Sequence, residues 1–202
     1  GEVYNFKEIA KEIGNINWKT SSDSEVILEA FSKWGPKFVT RLNGMFAIAI
    51  YDQLENKLFL YRDRMGIKPF YYFFNGDDFV FASELKAFNV LKKEKSIDYN
   101  SIYAYLHLGY IPSNKTIYKN IFKVKPGSFI EFHNNEINET FYWESNKKIS
   151  SHTFDDFNTS KAKLKLLLQN SIKNRLISDV PIGTFLSGGT DSSLVTSIAQ
   201  QV

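Results

Sequence analysis

The densest chemistry in this sequence lies in one run, Ser187-Gly188-Gly189-Thr190-Asp191-Ser192-Ser193. Two consecutive glycines let the backbone turn its amide groups toward an anion, and the hydroxyls add further donors. A helical pattern beginning near Ser192 would aim its partially positive end at the same point. The chemistry such a loop can do is to hold the pyrophosphate of a nucleotide. Serine and glycine are also the commonest turn formers, so Ser-Gly-Gly alone reads equally well as an ordinary loop. The full string, with Asp191 inside it, an apolar strand-like stretch before it and a helix after it, is far more specific. It is not a Walker loop, which would end in Gly-Lys-Ser/Thr.

These residues need elements to carry them. Phe6, Ile9 and Ile13 share one face of a short helix. Ser22 and Glu25 have the spacing of a capping box, and the helix they open closes at Gly35-Pro36. From Gly44 the period changes to that of strands: residues 45–51, 57–61, 70–74 and 79–81, separated by Asp/Asn/Gly turns, predict an antiparallel meander. Several of these strands are apolar on both faces, so the sheet should be covered on both sides, in a layered sandwich. A helix over 99–108 and a hairpin from 128–132 through Asn134-Asn135 to 141–143 follow. Residues 145–159 read as a polar linker. Residues 160–176 read as a helix with Leu164, Leu167, Leu168, Ile172 and Leu176 at core spacing, opening a second domain. One helix, one strand, a loop and part of another helix do not complete a parallel α/β sheet, so that domain is expected to be incomplete.

Composition narrows the function. The 202 residues are 43% hydrophobic and 16% aromatic, enough for a substantial core. A net charge of +3 from 25 basic and 22 acidic residues leaves no long basic block, which argues against nucleic acid or an anionic membrane as partner. No apolar run has membrane-spanning length and nothing reads as a signal peptide, so a cytoplasmic location is expected. With no cysteine, disulfides, thiolate metal sites and a cysteine nucleophile are excluded within these residues.

The loop at 187–193 resembles the PP-loop of ATP pyrophosphatases, and the stretch 171–189 leading into it, Asp179 to Thr184 included, looks like the start of the synthetase domain of glutamine-hydrolysing asparagine synthetases. Upstream, residues 1–5, 22–28, 43–47, 62–72 and 81–87 resemble the class II glutamine amidotransferase domain of the same family, in the same order. Segments 109–112 and 125–127 and the pair Tyr142-Trp143 fit its end.

The resemblance implies an α+β fold: a four-layer αββα sandwich of the N-terminal-nucleophile type with antiparallel sheets over 1–150, lacking its N-terminal part, then the first elements of an α/β ATP pyrophosphatase domain over 151–202. The implied reaction has two halves. An N-terminal cysteine, absent here, releases ammonia from glutamine. Aspartate attacks ATP to give an acyl-adenylate and pyrophosphate, and the ammonia displaces AMP to give asparagine. Carried onto this chain, Gly1 would supply an oxyanion-hole amide, and Gly1, Glu2 and Asp23 would bind glutamine. Leu186, Ser187, Gly188, Gly189, Asp191, Ser192 and Ser193 would bind ATP, with Asp191 also on Mg²⁺. Glutamine, aspartate and ATP are the implied small-molecule partners, and a homodimer is compatible with the family.

Other readings stand beside these. Asp23 is also a favourable first-turn helix acid. Residues 62–69 are the most charged part of an apolar region; they are either a strand end with surface ion pairs or a contact between the two domains, and Glu84 and Lys86 share that choice. His107, His133 and His152 have no metal-ligand spacing. Asp77-Asp78 follows Asn75-Gly76 as a hairpin turn. The function classes that compete are a related amidotransferase acting on a sugar acid or closing a ring, and a non-catalytic regulatory module with the same fold.

Overall fold

The computed structural model describes residues 1–91, 95–145, 155–178 and 180–202. It divides the chain into two units, Gly1–Asn146 and Lys147–Val202. The expected boundary at 150/151, most of the linker 145–159, His152 and Asp179 lie outside the described residues.

Unit 1 begins with β1 (Glu2–Val3), α1 (Phe6–Ile13) and α2 (Asp23–Trp34), then a 3-10 helix (Gly35–Arg41). β2 (Gly44–Met45), β3 (Ala47–Asp52), β4 (Lys57–Arg62), β5 (Tyr71–Phe74) and β6 (Phe79–Ala82) follow. A 3-10 helix (Leu85–Val90), α3 (Tyr99–Leu108), β7 (Ile121–Lys123), β8 (Ser128–His133) and β9 (Glu136–Phe141) complete it.

The strands do not form one meander. They form two sheets, ordered β3-β4-β8-β9 and β6-β5-β7, beside a small β1-β2 ribbon, and every pair is antiparallel. The hairpins β3–β4 and β5–β6 are local, as the turn residues predict. The second neighbours of β4 and β5, however, come from much later in the chain, and local turn chemistry carries no information about them. The chain therefore changes sheet between β4 and β5.

Period-two alternation explains why both faces of these strands are apolar. On β4, Phe59 and Tyr61 face α1, α2 and the first 3-10 helix, packing with Ile9, Val26, Ala30, Phe38 and Val39. Leu58 and Leu60 face the other way, onto Phe70, Tyr72, Phe79, Val124 and Ile130 between the sheets. Phe73 and Val80 point outward from the second sheet and are covered by Leu85 and Phe88 of the second 3-10 helix. Helices, sheet, sheet and helical segments thus stack in the expected αββα order. Each fully buried large side chain in these layers contributes about 1.5–3 kcal/mol.

The hairpin turn is as predicted: Asn134 and Asn135 both have positive φ, 49° and 63°, matching the twist of β8 and β9. At the hairpin's open end, the Gly127 carbonyl accepts from the amides of Tyr142 (2.9 Å) and Trp143 (3.1 Å).

The capping of α2 departs from the box pattern. Ser22 Oγ accepts from the Ser24 amide at 3.2 Å, but Glu25 does not close back on Ser22. Its carboxylate reaches further, to the amides of Lys19 (2.8 Å) and Thr20 (2.6 Å) and the Thr20 hydroxyl (2.7 Å). Those bonds, the Lys19 amide first, hold the Glu25 carboxyl below its ordinary value of 4.5. A lowered carboxyl contributes order that is fully present above pH 4.5 and is lost as pH falls through the lower folded value. The Lys19 and Thr20 amide chemical shifts should titrate together with a midpoint below 4.5, and Glu25→Gln should abolish the step. A midpoint at or above the ordinary value would overturn this.

Unit 2 holds α4 (Phe157–Arg175) and α5 (Thr190–Ala199). The strand expected ahead of the glycine loop is not formed: residues 181–187 are irregular. A strand needs a neighbour for its backbone groups, and none is present among the described residues of this unit. For the same reason Leu164 and Leu167 are not core residues here; they are 57% and 66% exposed.

Candidate functional site

The first candidate site lies where β1 meets α2. Glu2 pairs with Met45 and Val3 with Gly44, which sets the chain from Gly1 to Val3 against residues 44–46. A cavity of about 140 Å³ opens there, bordered by Gly1, Glu2, Asp23, Ser24, Phe46 and Ile48. Ser22 starts α2 so that Asp23 is its first residue, where an acid complements the helix dipole. Asp23 does more than that. Its Oδ2 accepts from the Val3 amide at 3.1 Å, tying α2 to β1 across 20 residues. Its Oδ1 lies 3.4 Å from the donating Ser24 hydroxyl. Two carboxylates, Glu2 and Asp23, therefore border one small cavity, an arrangement able to hold a cation such as an ammonium group. Gly1 is packed closely: a Cβ there would lie 2.8 Å from the Met45 carbonyl and 3.0 Å from Phe46 Cα.

The charged segment after β4 is not a set of surface ion pairs. Asp63 is only 1% exposed. Its Oδ1 accepts from the amides of Met65 (3.1 Å) and Ile67 (2.9 Å), and its Oδ2 from those of Lys68 (3.0 Å) and Phe46 (3.3 Å). The half-buried Arg62 donates to the carbonyls of Lys68, Val124 and Gly66. Burial presses its guanidinium toward a lower pKa, opposed by Asp63 beside it. The Tyr142 hydroxyl donates to the Arg62 carbonyl at 2.7 Å. Arg62 and Asp63 are thus interior polar links of unit 1. Glu84 and Lys86 do form an exposed ion pair at 2.7 Å, worth little.

The second candidate site is the glycine loop of unit 2. Gly188 takes φ +83°, a left-handed conformation that favours glycine, and a Cβ there would meet nothing within 4 Å. The helix begins at Thr190, two residues before the expected start, with Gly189 as its N-cap. Ser22, Asp98 and Asp156 cap α2, α3 and α4 through their side chains, whereas no side chain caps α1 or α5. The first-turn amides of α5 stay available to an anion. Ser187 Oγ lies 2.9 Å from Ser192 Oγ, and Ser192 Oγ donates to the Gly189 carbonyl at 3.0 Å, so the loop is closed by its own hydroxyls. Asp191 is exposed in the first turn. A single carboxylate beside a loop able to hold phosphate would suit Mg²⁺, which commonly takes one or two carboxylates plus phosphate oxygens. Leu186 is 63% exposed in the irregular stretch before the loop.

The family described as glutamine amidotransferase domain matches residues 1–143. The chain belongs to that family. The asparagine synthase family matches residues 163–202, beyond the amidotransferase domain. A putative glutamine-hydrolysing asparagine synthetase 2 of Methanocaldococcus jannaschii is 39% identical, covering 100% of this chain and 39% of the relative. The glutamine-hydrolysing asparagine synthetase 3 of Bacillus subtilis is 37% identical over 98% of this chain and 33% of its own length. The chain spans about a third to two fifths of these curated relatives. Among solved structures, glutamine phosphoribosylpyrophosphate amidotransferase from B. subtilis, complexed with ADP and GMP, superposes with a TM-score of 0.51 at 18% identity, covering 99% of this chain and 42% of that one. At that identity the likeness bears on the fold alone.

Gly1, Glu2 and Asp23 therefore meet at one cavity of the amidotransferase unit, and residues 187–193 make up the loop before α5 and its first turn in unit 2. Sequence reasoning missed Asp63 and the second task of Asp23. A usable signal for Asp63 was its position after an apolar strand and three residues before Gly66, where a carboxylate can collect the amides of a tight loop. Among the described residues no three His, Cys, Asp or Glu side chains gather as a metal cluster. No described helix is long and apolar enough to cross a membrane.

Proposed function

We propose that this chain serves in glutamine-dependent asparagine synthesis in the cytoplasm. Glutamine occupies the cavity at β1 and α2, with its α-ammonium held by the carboxylates of Glu2 and Asp23 and its side-chain carbonyl oxygen directed to the Gly1 amide as negative charge develops. The family's nucleophile, an N-terminal cysteine, has no counterpart among these residues. The ammonia released is used at the second site. There the side-chain carboxylate of aspartate attacks the α-phosphorus of ATP, the bond to the pyrophosphate breaks, and the acyl-adenylate then yields asparagine and AMP when ammonia attacks its carbonyl.

In the loop, the uncapped amides of α5 and the hydroxyls of Ser187, Ser192 and Ser193 receive the pyrophosphate as it leaves. Gly188 and Gly189 keep the backbone close to it, and Leu186 meets the adenosine through its backbone. Mg²⁺, held by Asp191 together with the phosphate oxygens, would neutralise charge on the departing group. The observation that carries the reading is that the whole chain, cavity and loop together, aligns with relatives named as glutamine-hydrolysing asparagine synthetases.

The test is exchange of labelled pyrophosphate into ATP by the protein at its full natural length. Exchange that switches on only when aspartate is added is the expected result. Exchange driven by another carboxylate would move the reading to a different amide product, and no exchange with any carboxylate would remove it.

A further inference from the structure

We infer that Asp63 is a positioning residue for the glutamine cavity, acting through the backbone of Phe46; this rests on the reading of that cavity given above. Phe46 lies between β2 and β3, where the chain leaves the ribbon that carries Glu2 and enters the four-stranded sheet. Both of its backbone polar groups end on Asp63. The Phe46 amide donates to Asp63 Oδ2 at 3.3 Å, and the Phe46 carbonyl accepts from the Asp63 amide at 3.0 Å. The same carboxylate gathers the amides of Met65, Ile67 and Lys68, and the Asp63 carbonyl accepts from Gly66 and Gly127. Asp63 is thus fixed from several directions, and it fixes residue 46 in turn.

Residue 46 is the wall against which Gly1 rests. The Phe46 Cα would lie 3.0 Å from a Cβ at Gly1, and Phe46 borders the cavity together with Gly1, Glu2 and Asp23. A carboxylate that supports only its own loop would need no bond to Phe46. The bond to Phe46 runs outward from that loop to the cavity wall. In Asp63→Asn one of the two accepting oxygens becomes an NH2 donor; with that group in the place of Oδ2, the Phe46 and Lys68 amides lose their acceptor and the wall is free to move, and a misplacement of about 1 Å in a site that orients an amide carbonyl costs about a hundredfold in rate.

The experiment compares two activities of the protein at its full natural length. Glutaminase activity needs the cavity; amidation of aspartate with added ammonium chloride does not. Asp63→Asn, nearly isosteric, is expected to lower kcat/KM for glutamine by about ten- to a hundredfold, with ammonia-dependent amidation retained within about twofold. Thr116→Val is the matched control. Thr116 is equally buried, and its hydroxyl bonds the Ile121 and Tyr118 backbone, far from Phe46 in the chain and outside the cavity lining. It should leave both activities in their original ratio even where it lowers the melting temperature. Parallel loss of both activities in Asp63→Asn, or an unchanged glutamine kcat/KM, overturns the inference. Wild-type protein that amidates aspartate from ammonia but releases no glutamate from glutamine overturns the reading of the cavity itself, and the inference with it.

Discussion

Replacing Gly44 with alanine is expected to be among the most damaging single-methyl changes in unit 1. The added Cβ would lie 2.1 Å from the Glu2 carbonyl oxygen and 2.9 Å from Val3 Cα, both backbone atoms that cannot rotate aside. β1 and β2 would have to separate, and among the described residues β1 has no other strand neighbour. Overpacking of this kind costs about 1–3 kcal/mol, occasionally more. Denaturant unfolding followed by tryptophan fluorescence reports it directly, because Trp18, Trp34 and Trp143 all lie in unit 1. Gly183→Ala, where nothing stands within 4 Å, is the neutral comparison. Equal midpoints for the two variants would show that the ribbon is not held as described.

Asp23→Ala should produce the larger functional loss. It removes a carboxylate proposed to face the glutamine ammonium and, in the same atom set, the acceptor for the Val3 amide. Hydrogen bonds to charged groups contribute about 1.5–3 kcal/mol each, so kcat/KM for glutamine should fall about ten- to a hundredfold or more. Asp23→Asn separates the two tasks, since its carbonyl oxygen can still accept from Val3 while the charge is gone. The expected signature for the asparagine variant is a raised KM with kcat largely kept, measured as glutamate release. A KM unchanged in both variants would return Asp23 to the simpler role of a helix first-turn acid.

Local signals in the sequence located most elements of unit 1. The period-3.6 face of Phe6, Ile9 and Ile13, the Ser22 cap and the Asn134-Asn135 turn all correspond to observed features because each is decided within a few residues. The partition into two sheets was not legible. It depends on β8 and β7 as partners, and β7 is only three residues, too short to show alternation. Two-sided apolarity on β4 nevertheless announced a covered sheet, and the layers confirm it.

At the candidate sites it is again the local geometry that was legible. The turn at Gly188 and the helix after it were readable because both are decided by Gly188, Gly189 and the few residues that follow. The strand before it was overread: Ile182, Phe185 and Leu186 have strand-like character, but pairing is a tertiary property. For Asp63 the surface ion-pair alternative fails for the opposite reason. Charged residues in a turn are usually outside, and only the surrounding amides reveal that this one is buried and saturated.

The Gly127 carbonyl has a mechanical meaning. Two successive amides, those of Tyr142 and Trp143, end on it, while its own amide is held by Asp63. Tension applied to the chain just past Trp143 loads this doubly bonded anchor, itself fastened to the interior, before it loads any rung between β9 and β8. The end of the last strand should therefore fray less readily than a strand end held by its ladder alone.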